Sequence, residues 1–89
     1  MYAVLAKVNV PGGDTPEHLK MLNEQVIPGT KSAPGFVAGY WLSPVNDEAV
    51  ALLVFKDEAS AKAAAPKEGS GHGDVTFKKI DIIEVVGSA

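Results

Sequence analysis

The first ten residues alternate. Tyr2, Val4, Ala6, Val8 and Val10 fall on one side of an extended chain, and Ala3, Leu5, Lys7 and Asn9 on the other, which predicts a β-strand. Pro11-Gly12-Gly13 breaks it. The period then lengthens: Leu19, Leu22 and Val26 recur at i, i+3 and i+7, a single buried helical stripe. Thr15-Pro16 marks its start, because the hydroxyl can cap an orphan N–H and proline gives up no hydrogen bond at the first helical position. Pro28-Gly29 is expected to end this helix. Phe36 to Leu42 and Ala49 to Phe55 read as two strands joined by a turn over Pro44 to Asp47, hence an antiparallel hairpin. Asp57 caps a second helix, Glu58 to Ala65, which Pro66 stops. Gly69 to Gly73 reads as a flexible loop, and Val75 to Val86 as a closing strand.

The element order β-α-β-β-α-β predicts an α+β fold of the ferredoxin-like, split βαβ kind: a four-stranded antiparallel sheet with two helices on one face. Residues 1–89 make a single domain, too short to divide into two cores. A sheet covered by helices on one face alone is expected to be polar on the other. Strand three is instead apolar on both sides, with Ala49, Ala51, Leu53 and Phe55 opposed to Val50, Leu52 and Val54. Strand two offers Phe36, Ala38, Tyr40 and Leu42 against Val37, Gly39 and Trp41. The predicted partner of the uncovered face is a second copy of the chain, giving a homodimer through the sheet.

Composition narrows the function classes. Hydrophobic residues are 46% of the chain and charged residues 21%, a globular balance. The formal net charge is −3, and all eight basic residues are scattered lysines, with no arginine to grip phosphate or guanine bidentately. Nucleic acid is not an expected partner. The absence of cysteine excludes disulfides and thiolate chemistry, and it suits a cytoplasmic protein. Lys7 interrupts the early apolar run, so no signal peptide is expected, and no apolar stretch approaches the roughly 20 residues that cross a bilayer.

Three local patterns carry a resemblance. A helix ending in Val26-Ile27-Pro28, the Ala33-Pro34-Gly35-Phe36 lead into strand two, and Val54-Phe55-Lys56-Asp57-Glu58-Ala59 resemble the dimeric α+β barrel superfamily, and within it the small antibiotic-biosynthesis-monooxygenase-like (ABM-like) proteins. The resemblance spans the chain in element order, although its motifs are packing and turn signals. It implies a homodimer whose two sheets close into a barrel, and a pocket in each subunit between sheet and helices. Such proteins include cofactor-independent oxygenases of aromatic polyketides or quinols, haem-degrading enzymes, lactone isomerases and proteins without known activity, so the fold does not select the function. Haem-degrading members resemble one another in an asparagine early in strand one, a tryptophan ending strand three and a histidine on helix two. This chain carries Leu5 or Lys7, Phe55 and an alanine run at those places, which points away from haem.

Few residues remain that could carry chemistry. His18, in the first helical turn, sits where the helix dipole disfavours a cation, so a neutral imidazole acting as base or donor is the functional expectation, against a surface histidine. His72, in the glycine-rich loop, could swing over a pocket as a second catalytic group, against a solvated loop residue. Tyr40 and Trp41 are strand neighbours and must face opposite sides, so one of them lines the pocket as a platform for a flat substrate. Asn9 could orient a carbonyl or phenol, and Lys7 could hold an anion, against both simply standing exposed near a strand end. Asp81 and Glu84 suit an exposed sheet edge. Two histidines without spaced carboxylates do not make a metal site, and no cofactor is expected. Two functions follow. One is oxidation of a flat phenol or quinol by a cofactor-free monooxygenase using His18 and His72, with Asn9, Tyr40 and Trp41 binding substrate. The other is a non-catalytic module that binds a small aromatic ligand or a partner.

Overall fold

The computed structural model describes residues 1–89, apart from the side chain of His72. Its elements run in the expected order: β1 (Tyr2–Asn9), α1 (Pro16–Met21), a π-helical segment (Leu22–Val26), α2 (Ile27–Lys31), β2 (Phe36–Trp41), β3 (Glu48–Phe55), α3 (Glu58–Ala64), β4 (Gly71–His72) and β5 (Val75–Glu84). The sheet order is β2-β3-β1-β5-β4, with every pairing antiparallel. Strand β3 thus lies between the parallel pair β1 and β2, which is the split βαβ arrangement. The four long strands and the helical layer are those expected of a ferredoxin-like α+β fold.

The segment read as a flexible glycine loop instead contains a fifth, two-residue strand. Gly71 and His72 pair with Thr76 and Val75. Gly73, at φ 60, supplies the left-handed backbone at the turn between them. The β2–β3 hairpin turns through Asn46 and Asp47, both at positive φ (52 and 63), between Val45 and Glu48, which exchange hydrogen bonds of 2.9 and 3.0 Å. Two left-handed residues make the turn whose twist matches the flanking strands, and Asn and Asp tolerate that conformation.

The first helical arm departs most from expectation. It does not stop at Pro28-Gly29 but continues to Lys31. A proline within a helix lacks an N–H and presses on the carbonyl four residues back. Here the turn ahead of Pro28 widens, and the Ile27 N–H bonds to the Leu22 carbonyl, five residues back. Side chains then engage carbonyls along the arm: Asn23 Nδ2 donates to Leu19 (2.8 Å), Thr30 Oγ1 to Val26 (2.9 Å) and Ser32 Oγ to Gly29 (2.8 Å).

The core lies on the helix-facing side of the sheet, where Val4, Ala6 and Val8 of β1 lie beside Ala49, Ala51, Leu53 and Phe55 of β3 across the ladder, with Val10 buried just past the end of β1. It falls into two buried clusters, one around Val8 and Ala51 and one around Val4, Phe55 and Ala61, and Trp41 and Ile80 pack against both. Ala61 is fully buried, so the small side chains of α3 let it lie close to the strands. The arm packs differently. None of its residues is buried, and Leu19 of the predicted stripe is 41% exposed.

One register expectation is corrected. A bulge between Phe36 and Ala38 shifts β2 against β3, so Phe36 shares the helix-facing side with Gly39 and Trp41 rather than with Ala38 and Tyr40. The turned-in Phe36 ring meets Phe55 edge-on, with centroids 5.7 Å apart. Gly35 makes this possible: its φ is +79, and a Cβ there would come within 2.5 Å of Ser60 Oγ.

Candidate functional site

Between the arm and the sheet lie two adjoining cavities. The inner one, about 100 Å³, is walled by Val8, Met21, Leu22, Ala49 and Val75, with His18 and Asp14 at its polar side. The outer one, about 400 Å³, lies between the arm and α3 over Ala6 and Leu53, with Gln25 and Thr30 supplying polar groups. Val26, Trp41, Ala51 and Phe77 line both. These spaces exist because the arm contributes no buried side chain, and its widened turn keeps Val26 over the cavities rather than in the core.

Trp41 is the aromatic that the sheet turns towards the helices. It pairs with Ala51 of the buried row, whereas Tyr40 pairs with Leu52 on the opposite face and is 62% exposed. The indole folds back along its own strand. A Cβ built on Gly39 would stand 2.9 Å from Trp41 Cη2 and 3.0 Å from Cζ3, so the ring occupies the space a side chain at 39 would need. Asn9 pairs with Glu48 and Thr76 on the face away from the helices, next to Lys7, and is separated from the cavities by the sheet. The four candidates with described side chains therefore divide: His18 and Trp41 share a cavity, and Asn9 and Tyr40 lie on the other side. His72 is placed by its backbone in β4; its side chain lies outside the described residues.

The surroundings of His18 favour the cation over the neutral ring that its position in the helix suggested. Thr15 Oγ1 caps the helix by accepting the His18 backbone N–H at 3.1 Å. The imidazole turns back over the preceding loop, with Nδ1 2.7 Å from the Gly13 carbonyl and Nε2 2.8 Å from Asp74 Oδ1. Both partners are acceptors, so the arrangement favours the doubly protonated imidazolium over the neutral ring. The Gly13 carbonyl and then the Asp74 carboxylate hold its pKa above the ordinary value, outweighing desolvation. The hydrogen bond from His18 in turn holds the Asp74 carboxyl below its usual range. These two contacts act against the helix N-terminus, which in the first turn disfavours a cation. The result is a latch joining the loop ahead of the arm to the β4–β5 hairpin, 56 residues away in sequence.

The sign of its pH dependence follows. A raised histidine pKa contributes stability in full below the unfolded value of 6.5, and that contribution fades as pH rises through the folded value. A lowered carboxylate pKa contributes in full above 3.8 and fades as pH falls through the folded value. The latch is thus strongest between the two. Titration of the His18 ring by NMR is expected to give a midpoint above 6.5, and a lower one in Asp74→Asn, which keeps only the Gly13 contact. An unchanged midpoint in that variant would break the pairing.

Among the described residues no group of three His, Cys, Asp or Glu side chains is placed to hold a metal ion. Among them, too, no helix is long and apolar enough to cross a membrane. Asp74 was not singled out by the sequence, yet a signal for it exists. An antiparallel β5 beside β1 must begin where β1 ends, which brings the residues before Val75 to the Pro11–Thr15 loop. No protein-family model matches this chain, and no curated protein matches it either.

Proposed function

We propose that this protein is a small-molecule-binding module that works as a homodimer, and that each subunit takes a flat aromatic ligand, such as a phenol or quinol, between its helical arm and its sheet. The observation that carries this reading is the outer cavity of about 400 Å³ against the Trp41 indole. It falls in the roughly 300–1,000 Å³ range of small-molecule sites, and an aromatic wall with a few polar groups at the margin suits stacking with a planar ring. The inner cavity alone, at about 100 Å³, is smaller than the ~150 Å³ space known to hold a benzene ring.

Binding is favoured over cofactor-free oxidation because both ring nitrogens of His18, the one described imidazole at the site, already lie against the Gly13 carbonyl and Asp74 Oδ1, which leaves neither turned to a substrate. The experiment is titration with 2-naphthol, read by the fluorescence of Trp41, the single tryptophan. Saturable quenching is the expected result, with no oxygen uptake when a quinol replaces the naphthol. Absence of any saturable change contradicts the binding reading, and oxygen uptake lost in His18→Ala would restore the monooxygenase.

The second copy belongs on the uncovered sheet face. Two adjacent rungs there run Tyr40–Leu52–Leu5–Asp81 and Ala38–Val54–Ala3–Ile83, with Asp81 as their one charged member. Tyr40 and Ile83 are 62% and 48% exposed. Four strands ~4.8 Å apart and about seven residues long make a face of roughly 450 Å² in flat projection, apolar over the rungs through Ala3 and Leu5 and charged beyond them at Lys7, Lys79 and Glu48, against ~800 Å² per partner in a stable interface. The apolar parts of two identical faces are self-complementary about a two-fold axis, and such a pairing closes without leaving a further sticky surface.

A further inference from the structure

We infer that the helical arm is a movable wall of the binding site, that the His18–Asp74 latch holds it in place, and that ligand affinity is coupled to protonation through this latch. The inference rests on the binding reading above and adds to it how the site is regulated.

The arm, from Pro16 to Lys31, supplies one whole side of the site. Met21 and Leu22 border the inner cavity, Gln25, Gly29 and Thr30 the outer one, and Val26 both. Yet the arm is lightly held. None of its residues is buried, and Met21 packs on the Val8–Ala51 cluster from a partly buried position. Asn23, Thr30 and Ser32 spend their side-chain hydrogen bonds on carbonyls of the same segment. Among the described residues, the one side-chain tie from the arm to the sheet is that of His18 to Asp74.

The two ends of the arm differ. Past its C-terminal end the chain is fixed to the body: the Lys56 N–H donates to the Gly35 carbonyl at 2.9 Å, and Ala33 and Phe36 pack against the Val4–Phe55 cluster. Ahead of its N-terminal end the chain passes through Gly12 and Gly13, both at positive φ (79 and 74), and a Cβ at Gly13 would meet nothing within 4 Å. Adjacent glycines with open space beside them can absorb a change of backbone angle, as a hinge does. His18 grips this hinge at the Gly13 carbonyl and the β4–β5 hairpin at Asp74, and so fixes the end of the arm that is free to turn. Asp74 borders neither cavity; it is a positioning residue that acts on a ligand through the arm.

The described groups around His18 are the Gly13 carbonyl and Asp14 from the preceding loop, Glu17 from its own helix and Asp74 from the hairpin, whose His72 side chain lies outside the described residues. All four are acceptors or acids, which favour the cation. The latch is closed while the ring is cationic and Asp74 ionised. Loss of the ring proton as pH rises removes the charge and one N–H, and the arm loosens. By linkage, a ligand that needs the arm in place must in turn tighten proton binding at His18.

The test compares the parent with Asp74→Ala and Asp74→Asn, using 2-naphthol at about pH 5.5 and about pH 8.5, a range in which a phenolic hydroxyl stays protonated. The parent is expected to bind roughly threefold more tightly at the lower pH, the scale of an exposed charge pair. Saturating 2-naphthol is expected to raise the NMR titration midpoint of His18. In Asp74→Ala the affinity at the lower pH falls to the parent's value at the higher one and the pH dependence disappears, while circular dichroism stays that of the parent. Asp74→Asn falls between. Without ligand, hydrogen exchange of the arm amides is faster in Asp74→Ala than in the parent. Equal parent affinity at both pH values, or arm exchange unchanged in Asp74→Ala, would overturn the latch while leaving the binding site standing. A parent that binds no 2-naphthol, with faster arm exchange in Asp74→Ala, overturns the binding reading and the coupling but keeps the movable arm.

Discussion

Replacing Phe55 by alanine is expected to lower stability by about 3–5 kcal/mol, enough to unfold much of the population of a domain whose total is ~5–15 kcal/mol. Phe55 ends β3, is fully shielded from solvent, and is the largest side chain so placed. It packs with Val4, Leu53 and Ala61, so its loss opens a void where β1, β3 and α3 meet. The neighbours cannot collapse into that void. Val4 is on a central strand held on both sides, and Ala61 is too small to reach. Phe36 also loses the ring it meets edge-on, a contact worth about 0.5–1.5 kcal/mol beyond its area. Denaturant titration at fixed protein concentration measures the effect, since association adds to apparent stability. A loss below ~1.5 kcal/mol would mean that this end of the core is not packed as described.

Replacing Leu52 by glutamate is expected to separate the subunits while leaving each one folded. Leu52 lies at the centre of the uncovered face, directly between Tyr40 and Leu5, with its side chain away from the helices. In an isolated subunit the carboxylate meets water, and the buried row of Ala51 and Leu53 is untouched. In a two-fold pairing, two carboxylates would be buried without partners, at several kcal/mol. A cost of ~3 kcal/mol already raises the dissociation constant more than a hundredfold. Sedimentation at a concentration where the parent is paired reads the change, and circular dichroism reports the retained fold. A variant that stays paired would place the interface elsewhere.

Element order was legible because each boundary has a local cause. Thr15-Pro16 and Asp57 start helices, the Asn46-Asp47 pair turns a hairpin, alternation marks β1, and a run rich in Val and Leu marks β3. What escaped were features decided by more distant groups. Pro28 reads as a stop, but a widened turn ahead of it absorbs the missing N–H and the arm continues to Lys31. The bulge at the start of β2 reverses the facing of Phe36, and it arises from the fit of Gly35 against Ser60 and of Phe36 against Phe55, residues some twenty positions on. Period-two reasoning holds from Ala38 onward, which is why Tyr40 and Trp41 do face opposite ways, but it could not say which faces the helices.

The candidate site was legible in part for the same reason. His18 and Trp41 stand out as residue types, and they do share a cavity. The state of His18 was not legible, because it is set by Asp74 and by a backbone carbonyl. A helix N-terminus alone favours the neutral ring, and two acceptors within 3 Å reverse that preference. Asn9 lies at the charged end of the outer face, near the Glu48–Lys78 ion pair, where its alternative reading as an exposed strand-end residue puts it.

Native mass spectrometry of the freshly purified protein, with 2-naphthol added, tests the proposed function most directly, because one spectrum reports both assembly and occupancy. The expected spectrum is centred on twice the 9.3 kDa chain mass, with up to two added ligands, one for each subunit's cavity. A spectrum holding only the single-chain mass without ligand would contradict both the pairing of the sheets and the use of the cavity.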